Sequence, residues 1–228
     1  MRVLVTGGRS LLGGRTAEAL AARGDEVVLL QRTPSGLGLP EVLGDVADST
    51  VAREAVRGCD AVVHLAARVG VVGTSEQFRR TNVEGTRALL AAAREAGVAH
   101  FVQVSSPSVA HEGRALVGVD ATPADPAGAR SDYSRTKAEA EVLALAADAP
   151  GFAVVAVRPH LVWGPGDTQL VGRIVERARA GRLALVDDGA ALVDTTYIDN
   201  AVDALVAALD AADQVHGEAF VVSNGEPR

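Results

Sequence analysis

The segment DYSRTK contains a tyrosine and a lysine that can exchange protons. Tyr133 and Lys137 are four residues apart in a stretch with helical patterning, so they share one face of the expected helix. A tyrosine hydroxyl titrates at about pH 10, and a neighbouring ammonium group lowers its pKa by favouring the phenolate. We therefore predict that Tyr133 is a general acid or base with a pKa below the ordinary tyrosine value.

Tyrosine and lysine at this spacing also occur by chance on helix surfaces, so the prediction of a proton-transfer site depends on the motifs around the pair. The strand-like run HFVQVSS, which ends in Ser105 and Ser106, precedes the pair, and a glycine-rich turn lies near the start of the chain. The serine run, the glycine turn and the helical pair together indicate one site.

The glycine-rich turn TGGRSLLG follows a strand-like run and opens a helical pattern. Gly7 and Gly13 occupy the first and last positions of a G-x-x-G-x-x-G turn, and Ser10 takes the middle one. In a dinucleotide-binding turn the glycines permit a sharp reversal and close helix packing, and the helix N-terminus attracts the pyrophosphate. Serine is small and can donate a hydrogen bond to a phosphate, but it lacks the backbone freedom of glycine. The turn predicts a dinucleotide site, with an ordinary strand-to-helix turn as the alternative.

The end of the second strand-like run bears on the choice of cofactor. In NAD-binding Rossmann units, an acidic residue at this place binds the free 2′-hydroxyl of the adenosine ribose. In this chain, Gln31 and Arg32 occupy the place instead. A guanidinium accommodates the 2′-phosphate of NADP, and Arg9 in the glycine turn can add a second charged contact. We predict NADP(H) as the preferred cofactor and NAD(H) as the alternative. Both arginines can also be read as ordinary solvated residues.

Short apolar runs alternate with helical patterns along the chain, which predicts βαβ crossovers and an α/β fold with a doubly wound parallel sheet of the Rossmann type. The predicted strands cover residues 2–6, 26–30, 61–67, 100–106 and 152–159, and the clearest helices cover 12–23, 75–96 and 131–147.

The regular alternation ends after Pro159. We predict a NAD(P)-binding Rossmann domain over residues 1–160, and a small substrate-binding lobe over 161–228 that is interleaved with the last Rossmann elements. Helices are expected near 168–180 and 199–209, and a final strand at AFVV. We expect this lobe to be truncated. The aperiodic segment 107–130 is long enough to predict a functional loop.

Composition limits the classes of partner. The net charge of −7 disfavours nucleic acid, and 48% hydrophobic residues favour a folded domain with a full core. Cys59 is the only cysteine, so no internal disulfide forms, and we expect a cytoplasmic protein without signal peptide or membrane span. His64 and His100 have no partners at metal-ligand spacing, so we predict structural roles for them and no metal site.

The chain resembles the extended short-chain dehydrogenase/reductase family, in its NAD-dependent epimerase/dehydratase group. The similarity runs from residue 2 to about residue 225 and is carried by TGGRSLLG, GDVAD, HLAA, TNVEGT, VSSPSV, YSRTK, RPHLVWGPGD and DTTYIDNAVDAL, in the family's order. The last two motifs are most similar to the 3β-hydroxysteroid dehydrogenase/isomerase branch, which includes bacterial reductases of 2-alkyl-3-oxoalkanoates.

This resemblance implies roles for individual residues. Ser106 hydrogen-bonds the substrate oxygen, with Ser105 and Ser108 as alternatives, Tyr133 is the acid/base, and Lys137 orients the cofactor ribose and tunes Tyr133. The glycine turn and the end of the second strand-like run predict the cofactor-binding residues Gly7, Arg9, Ser10, Leu11, Leu12, Gly13, Gln31 and Arg32. The resemblance adds Asp45 and Val46 beside the adenine, Leu65, Ala66 and Ala67 under the ribose and pyrophosphate, Tyr133 and Lys137, and Pro159, His160 and Leu161 near the nicotinamide.

The resemblance also implies an activity. It is that of an NAD(P)-dependent oxidoreductase interconverting a secondary alcohol and a ketone on an apolar, steroid-like or 3-oxoacyl-like small molecule. The alternatives are a nucleotide-sugar epimerase or dehydratase, and a non-catalytic NADP-binding regulator. Relatives often pair through the helices that bear TNVEGT and YSRTK, so we expect a homodimer.

Overall fold

Strands and helices alternate along the chain in the computed structural model, which describes residues 1–70, 72–110, 118–168, 170–184 and 192–227. The strands are β1 (Arg2–Thr6), β2 (Glu26–Gln31), β3 (Glu41–Leu43), β4 (Ala61–His64), β5 (His100–Val104), β6 (Ala153–Pro159), β7 (Leu161–Trp163), β8 (Thr195–Tyr197) and β9 (Ala219–Val222). The helices are α1 (Leu11–Ala22), α2 (Ser49–Ala55), α3 (Ser75–Arg79), α4 (Gly85–Glu95), α5 (Asp132–Leu145), α6 (Val171–Arg179), α7 (Ile198–Asp210) and α8 (Ala212–Val215). A π-helical turn, Arg80–Glu84, joins α3 to α4, and a 3₁₀ turn, Pro107–Ala110, follows β5.

Seven of these strands form one parallel sheet in the order β3-β2-β1-β4-β5-β6-β9. The chain runs outward in one direction from β1 through β2 and β3, and in the other direction from β4. The crevice at the carboxyl ends of β1 and β4 is therefore a topological switch point, where ligands bind in doubly wound folds. The predicted parallel Rossmann sheet is confirmed. Strands β7 and β8 pair separately as a two-stranded parallel ribbon.

Helices cover both faces of the sheet because the strand residues are apolar on both sides. Along β1, Leu4 packs into a core under α2, α4 and α5, while Val3 and Val5 pack into a second core under α1, α7 and α8. Both cores contain fully buried residues from β1, β2, β4, β5 and β6. This burial explains the continuous apolar runs in the sequence.

Several elements differ from the sequence prediction in their ends. The run 61–67 stops being a strand after His64, because the next two backbone N–H groups bind the Thr6 hydroxyl instead of a neighbouring strand. The predicted helix 75–96 contains the π-helical turn. Strand β3 and helix α2 were missed because both are short, although Asp48 caps α2 through the N–H groups of Thr50 and Val51.

Helix α6 begins at Val171 and has no buried residue, and the elements after it return to the main sheet through α7 and β9.

Residues 111–117 of the aperiodic segment lie outside the described residues. None of the helices in the described ranges is long and apolar enough to cross a membrane.

Candidate active site

Two adjoining cavities lie at the carboxyl ends of β1, β2, β4, β5 and β6. We call them the main cleft, of about 920 Å³, and the side pocket, of about 240 Å³. Arg9, Ser10, Leu65 and Ala67 line both, so the two cavities meet at the glycine turn. Of the predicted residues, the main cleft also contains Leu11, Leu12, Ser106, Tyr133, Lys137, Pro159, His160 and Leu161, and the side pocket contains Gly7, Gln31, Arg32, Asp45, Val46 and Ala66.

Gly13 is the one predicted residue that lines neither cavity. It is buried in the first turn of α1, where a Cβ atom would clash with the carbonyl oxygen of Gly7. Gly7 has a φ of 76°, and a Cβ there would lie 3.1 Å from the backbone nitrogen of Ala66. The turn thus brings bare backbone against the end of β4, and no acidic residue lies in the first turn of α1. These features fit the pyrophosphate of a dinucleotide.

Ser10 is the N-cap of α1. Its hydroxyl accepts a hydrogen bond of 3.0 Å from the N–H of Gly13 and donates one of 2.8 Å to the carbonyl oxygen of Gly7. The serine therefore stabilises the helix start and closes the turn, which explains how a serine serves in the middle position of the glycine-rich turn. The expected bond from Ser10 to a phosphate would have to compete with these two contacts.

The side pocket carries two arginines. Arg9 donates a hydrogen bond of 2.8 Å to Thr33 Oγ1, just beyond β2, and Arg32 is exposed at the end of the same strand. The carboxylate of Asp45 is already bound by Arg80 at 2.9 Å. Desolvation opposes ionisation of Asp45, but the Ala47 N–H and the guanidinium of Arg80 keep its pKa below the ordinary value. Gln31 Oε1 is buried without a hydrogen-bond partner among the described residues.

Tyr133 lies in the first turn of α5, which begins at a capping box formed by Ser131 and Ser134. Burial raises the pKa of the Tyr133 hydroxyl, and a hydrogen bond with Ser106 opposes this rise. The predicted lowering of this pKa by Lys137 is therefore wrong. The desolvation of the phenolate dominates, and Lys137 donates its own hydrogen bond elsewhere.

Lys137 is 4% exposed and lies one turn after Tyr133. Its Nζ donates a hydrogen bond of 2.5 Å to the carbonyl oxygen of Val104, at the end of β5. Burial lowers the pKa of Lys137 to about 8, while the negative charge of Glu141 opposes this change. The side chain is mostly protonated at neutral pH and joins α5 to the strand that leads to the serines.

Ser106 is the serine that contacts Tyr133, as the hydrogen bond above indicates. Its Oγ also lies 2.9 Å from Ser108 Oγ, and both hydroxyls line the main cleft. Ser105 Oγ is buried without a hydrogen-bond partner among the described residues. Of the three serines, Ser106 is therefore the best placed to act together with Tyr133.

One wall of the main cleft is formed by residues at the end of β6 and the start of β7. His160 donates its backbone N–H to the carbonyl oxygen of Val222 at 2.8 Å, which attaches this segment to β9. Burial lowers the pKa of His160, against the charge of Asp194, so its imidazole is neutral at neutral pH. Pro159 and Leu161 flank it along the wall of the cleft.

Sequence reasoning missed a buried ion pair behind the site. Arg158 and Glu141 are each 1% exposed, and Arg158 Nε donates to Glu141 Oε2 at 2.9 Å. A signal was present, since Glu141 is four residues after Lys137 in YSRTKAEAE and shares its helix face. A glutamate in a charged helical stretch is usually solvated, and nothing local identifies Arg158 as its partner.

The sequence and the fold of this chain are similar to those of known proteins. A model of the NAD dependent epimerase/dehydratase family matches residues 3–223. A 2-alkyl-3-oxoalkanoate reductase of Stenotrophomonas maltophilia (strain K279a) is 43% identical over 238 residues, covering 100% of this chain and 72% of the relative. A 3-beta-hydroxysteroid dehydrogenase of Mycolicibacterium neoaurum is 32% identical over 242 residues, covering 99% of this chain and 66% of the relative.

The solved structure of MoeE5 in complex with UDP-glucose and NAD matches the fold with a TM-score of 0.87 at 29% identity, covering 100% of this chain and 78% of that chain. The relatives confirm the predicted branch and the predicted enzyme class, an NAD(P)-dependent oxidoreductase acting on CH–OH groups. With the family model spanning nearly the whole sequence, the chain belongs to the NAD dependent epimerase/dehydratase family.

Proposed function

We propose that this chain interconverts a secondary alcohol and a ketone on an apolar substrate by means of Ser106, Tyr133 and Lys137, with NADP(H) as its preferred cofactor. One observation carries the proposal: these three side chains line the same cleft as the glycine turn. Carbonyl reduction needs a proton donor beside a dinucleotide site, and this cleft supplies one.

The cofactor would lie across the ends of the strands. The glycine turn and the first turn of α1 would bind the pyrophosphate, and Lys137 and the backbone at Pro159, His160 and Leu161 would border the nicotinamide. When bound, the nicotinamide supplies or accepts the hydride. We further propose that residues 1–160 hold the cofactor and that 161–228 contribute the substrate side of the cleft.

The proposed proton donor is Tyr133. Because burial raises its pKa, the hydroxyl is protonated at neutral pH and can give its proton to a ketone oxygen held against it. Ser106 donates a second hydrogen bond to the same oxygen, and the buried ammonium of Lys137 favours the negative charge that develops on it.

The preference for NADP(H) is supported by the charges around the side pocket. Arg9 and Arg32 both line it, and a glutamine, not an aspartate, ends β2. Two guanidinium groups can bind a 2′-phosphate through charge-assisted hydrogen bonds. Asp45, the acid in this pocket, is already held by Arg80.

An apolar substrate is supported by the outer wall of the main cleft, which includes Val69, Pro107, Leu161, Val162 and Leu170. The Stenotrophomonas relative is a 2-alkyl-3-oxoalkanoate reductase, which points to a 3-oxoacyl compound as the first substrate to try. We also propose that the chain forms a homodimer and acts in the cytoplasm.

The test is a titration of the purified 228-residue chain with NADPH and with NADH, followed by nicotinamide fluorescence, and then a screen of 2-alkyl-3-oxoacids, 3-oxosteroids and nucleotide sugars. We expect tighter binding of NADPH and reduction of the apolar ketones. Tyr133→Phe should abolish turnover and leave NADPH affinity within about twofold, because the phenolic hydroxyl is not needed to hold the pyrophosphate.

Full activity of Tyr133→Phe would contradict the mechanism. Turnover of nucleotide sugars alone would favour an epimerase or dehydratase, and cofactor binding without any turnover would favour a regulator.

A further inference from the structure

A continuous chain of hydrogen bonds runs beneath the main cleft. Five polar side chains form it, and none is more than 5% exposed: Thr6, His64, Thr86, Asn82 and Thr136. It starts at the end of β1, crosses β4, the first turn of α4 and the π-helical turn, and ends in the first turns of α5. Buried polar groups are costly unless they are paired, so a fully paired chain of this length positions the elements that it joins.

The first half of this hydrogen-bond chain determines the tautomer of His64. Thr6 Oγ1 accepts hydrogen bonds from the N–H groups of Leu65 at 3.1 Å and Ala66 at 2.9 Å, and lies 2.7 Å from His64 Nδ1. The threonine hydroxyl, already an acceptor twice, donates its own hydrogen to Nδ1. Nδ1 is therefore unprotonated, and the imidazole carries its proton on Nε2.

The second half reaches the helix that bears Tyr133. His64 Nε2 donates to Thr86 Oγ1 at 3.1 Å, and Thr86 donates to the carbonyl oxygen of Asn82 at 2.7 Å. Asn82 Nδ2 donates to Thr136 Oγ1 at 3.0 Å, and Thr136 donates to the carbonyl oxygen of Asp132 at 2.7 Å.

Both ends of the hydrogen-bond chain meet the proposed site. Ala66, held by Thr6, packs against Gly7 in the glycine turn. Thr136 lies between Tyr133 and Lys137 in the sequence of α5. The side chain of Asn82 also binds the backbone N–H and carbonyl of Arg68, which holds the loop after β4 in place.

We propose that His64, held as the Nε2–H tautomer, is a positioning residue that joins the backbone under the cofactor to the helix start that carries Tyr133. This role rests on the proposed function, because it is meaningful only if the cleft binds a dinucleotide. The imidazole must stay neutral, since a hydrogen on Nδ1 would point at an oxygen that already accepts two N–H groups. The surroundings of the ring also keep it neutral, because burial, and to a smaller extent the charge of Lys137, lower the pKa of His64 to about 3.

The first test needs no activity. In ¹⁵N-labelled wild-type protein, the imidazole nitrogens of His64, assigned by comparison with His64→Gln, should show an unprotonated Nδ1 and a protonated Nε2 from pH 7.5 down to pH 5. Titration of the ring near pH 6.5, or the Nδ1–H tautomer, would overturn the proposal.

The second test separates positioning from stability. Thr86→Val keeps the shape of the side chain but removes the link to Asn82, and Thr86→Ser restores the hydroxyl. We expect Thr86→Val to lower kcat by about tenfold while NADPH affinity changes by less than about twofold, since small displacements of a proton donor are costly in turnover. Thr86→Ser should recover most of kcat.

Equal kcat in wild type, Thr86→Val and Thr86→Ser would overturn the positioning role, as would a loss that Thr86→Ser does not restore. Wild-type protein that binds neither NADPH nor NADH would overturn the proposed function instead, and this proposal with it, whatever tautomer the spectra show.

Discussion

Arg158 binds both carboxylate oxygens of Glu141 in the interior of the protein, one helical turn beyond Lys137. A third guanidinium N–H donates to the carbonyl oxygen of Thr122 at 2.8 Å. One arginine thus holds β6, α5 and the segment after Ser106 together. Because Glu141 also opposes the lowering of the Lys137 pKa, the ion pair acts on both the position and the charge of the site.

Replacing the buried carboxylate tests this arrangement. We expect Glu141→Gln to lower the free energy of unfolding by about 3 kcal/mol, because it leaves the Arg158 charge buried without a counter-charge. Urea denaturation measures the loss. The double variant Glu141→Leu/Arg158→Met, which removes both charges, should be more stable than Glu141→Gln. A double variant that is less stable would contradict this account.

The buried lysine predicts a pH dependence of stability. The folded pKa of Lys137 is about 8, against an ordinary 10.5, so between these values the unfolded chain binds the proton more tightly. The free energy of unfolding should therefore rise with pH over this window, at up to about 1.4 kcal/mol per unit. Lys137→Met removes this contribution.

The measurement is the difference in unfolding free energy between wild type and Lys137→Met at pH 7.5, 8.5 and 9.5. The raised pKa values of Cys59 and Tyr133 act in the opposite direction, but both groups are present in both proteins and cancel in the difference. A difference that does not change with pH would show that Lys137 titrates normally.

Two neighbouring glycines in α1 provide a matched pair. A Cβ at Gly13 would clash with the backbone oxygen of Gly7, whereas a Cβ at Gly14 would lie 3.0 Å from the oxygen of Gly8. We expect Gly13→Ala to cost about 2 kcal/mol of stability and to weaken NADPH binding, because the turn must open. Gly14→Ala should lower the stability by less than Gly13→Ala does, and thermal unfolding of the two variants measures the difference. Equal effects would mean that the turn adapts to a methyl group.

Cofactor choice is tested at Arg32. We expect Arg32→Asp to weaken NADPH binding by at least about tenfold, because a charged contact to the 2′-phosphate is replaced by repulsion. NADH affinity should be kept or improved. Arg57→Ser, an exposed arginine that lines neither cavity, is the control. Equal weakening of both cofactors by Arg32→Asp would exclude a 2′-phosphate contact.

The sequence was most informative where the signal is local. The apolar runs predicted β1, β2, β4, β5 and β6, because strands buried on both faces must be apolar throughout. The spacing of Tyr133 and Lys137 placed them one turn apart on a helix, as the structure has them. Weakly patterned elements such as β3 were missed, because three residues carry too little periodicity to detect.

Contacts between distant residues required the tertiary structure. The order of the serine run and the tyrosine-bearing helix along the chain predicted that they form one site, whereas the role of Ser106 beside Tyr133 followed only from the family resemblance. The partner of Glu141 lies on another element, the acceptor for Lys137 is a backbone carbonyl of β5, and the chain through His64 joins residues from five segments.

The sequence by itself determined the doubly wound sheet, the glycine turn and the helical spacing of Tyr133 and Lys137, because periodicity and turn chemistry act over a few neighbouring residues. Only the tertiary structure decided the direction of the Tyr133 pKa and the neutral state of His64. Both depend on desolvation, and the water that surrounds a side chain is removed by segments far away in the chain.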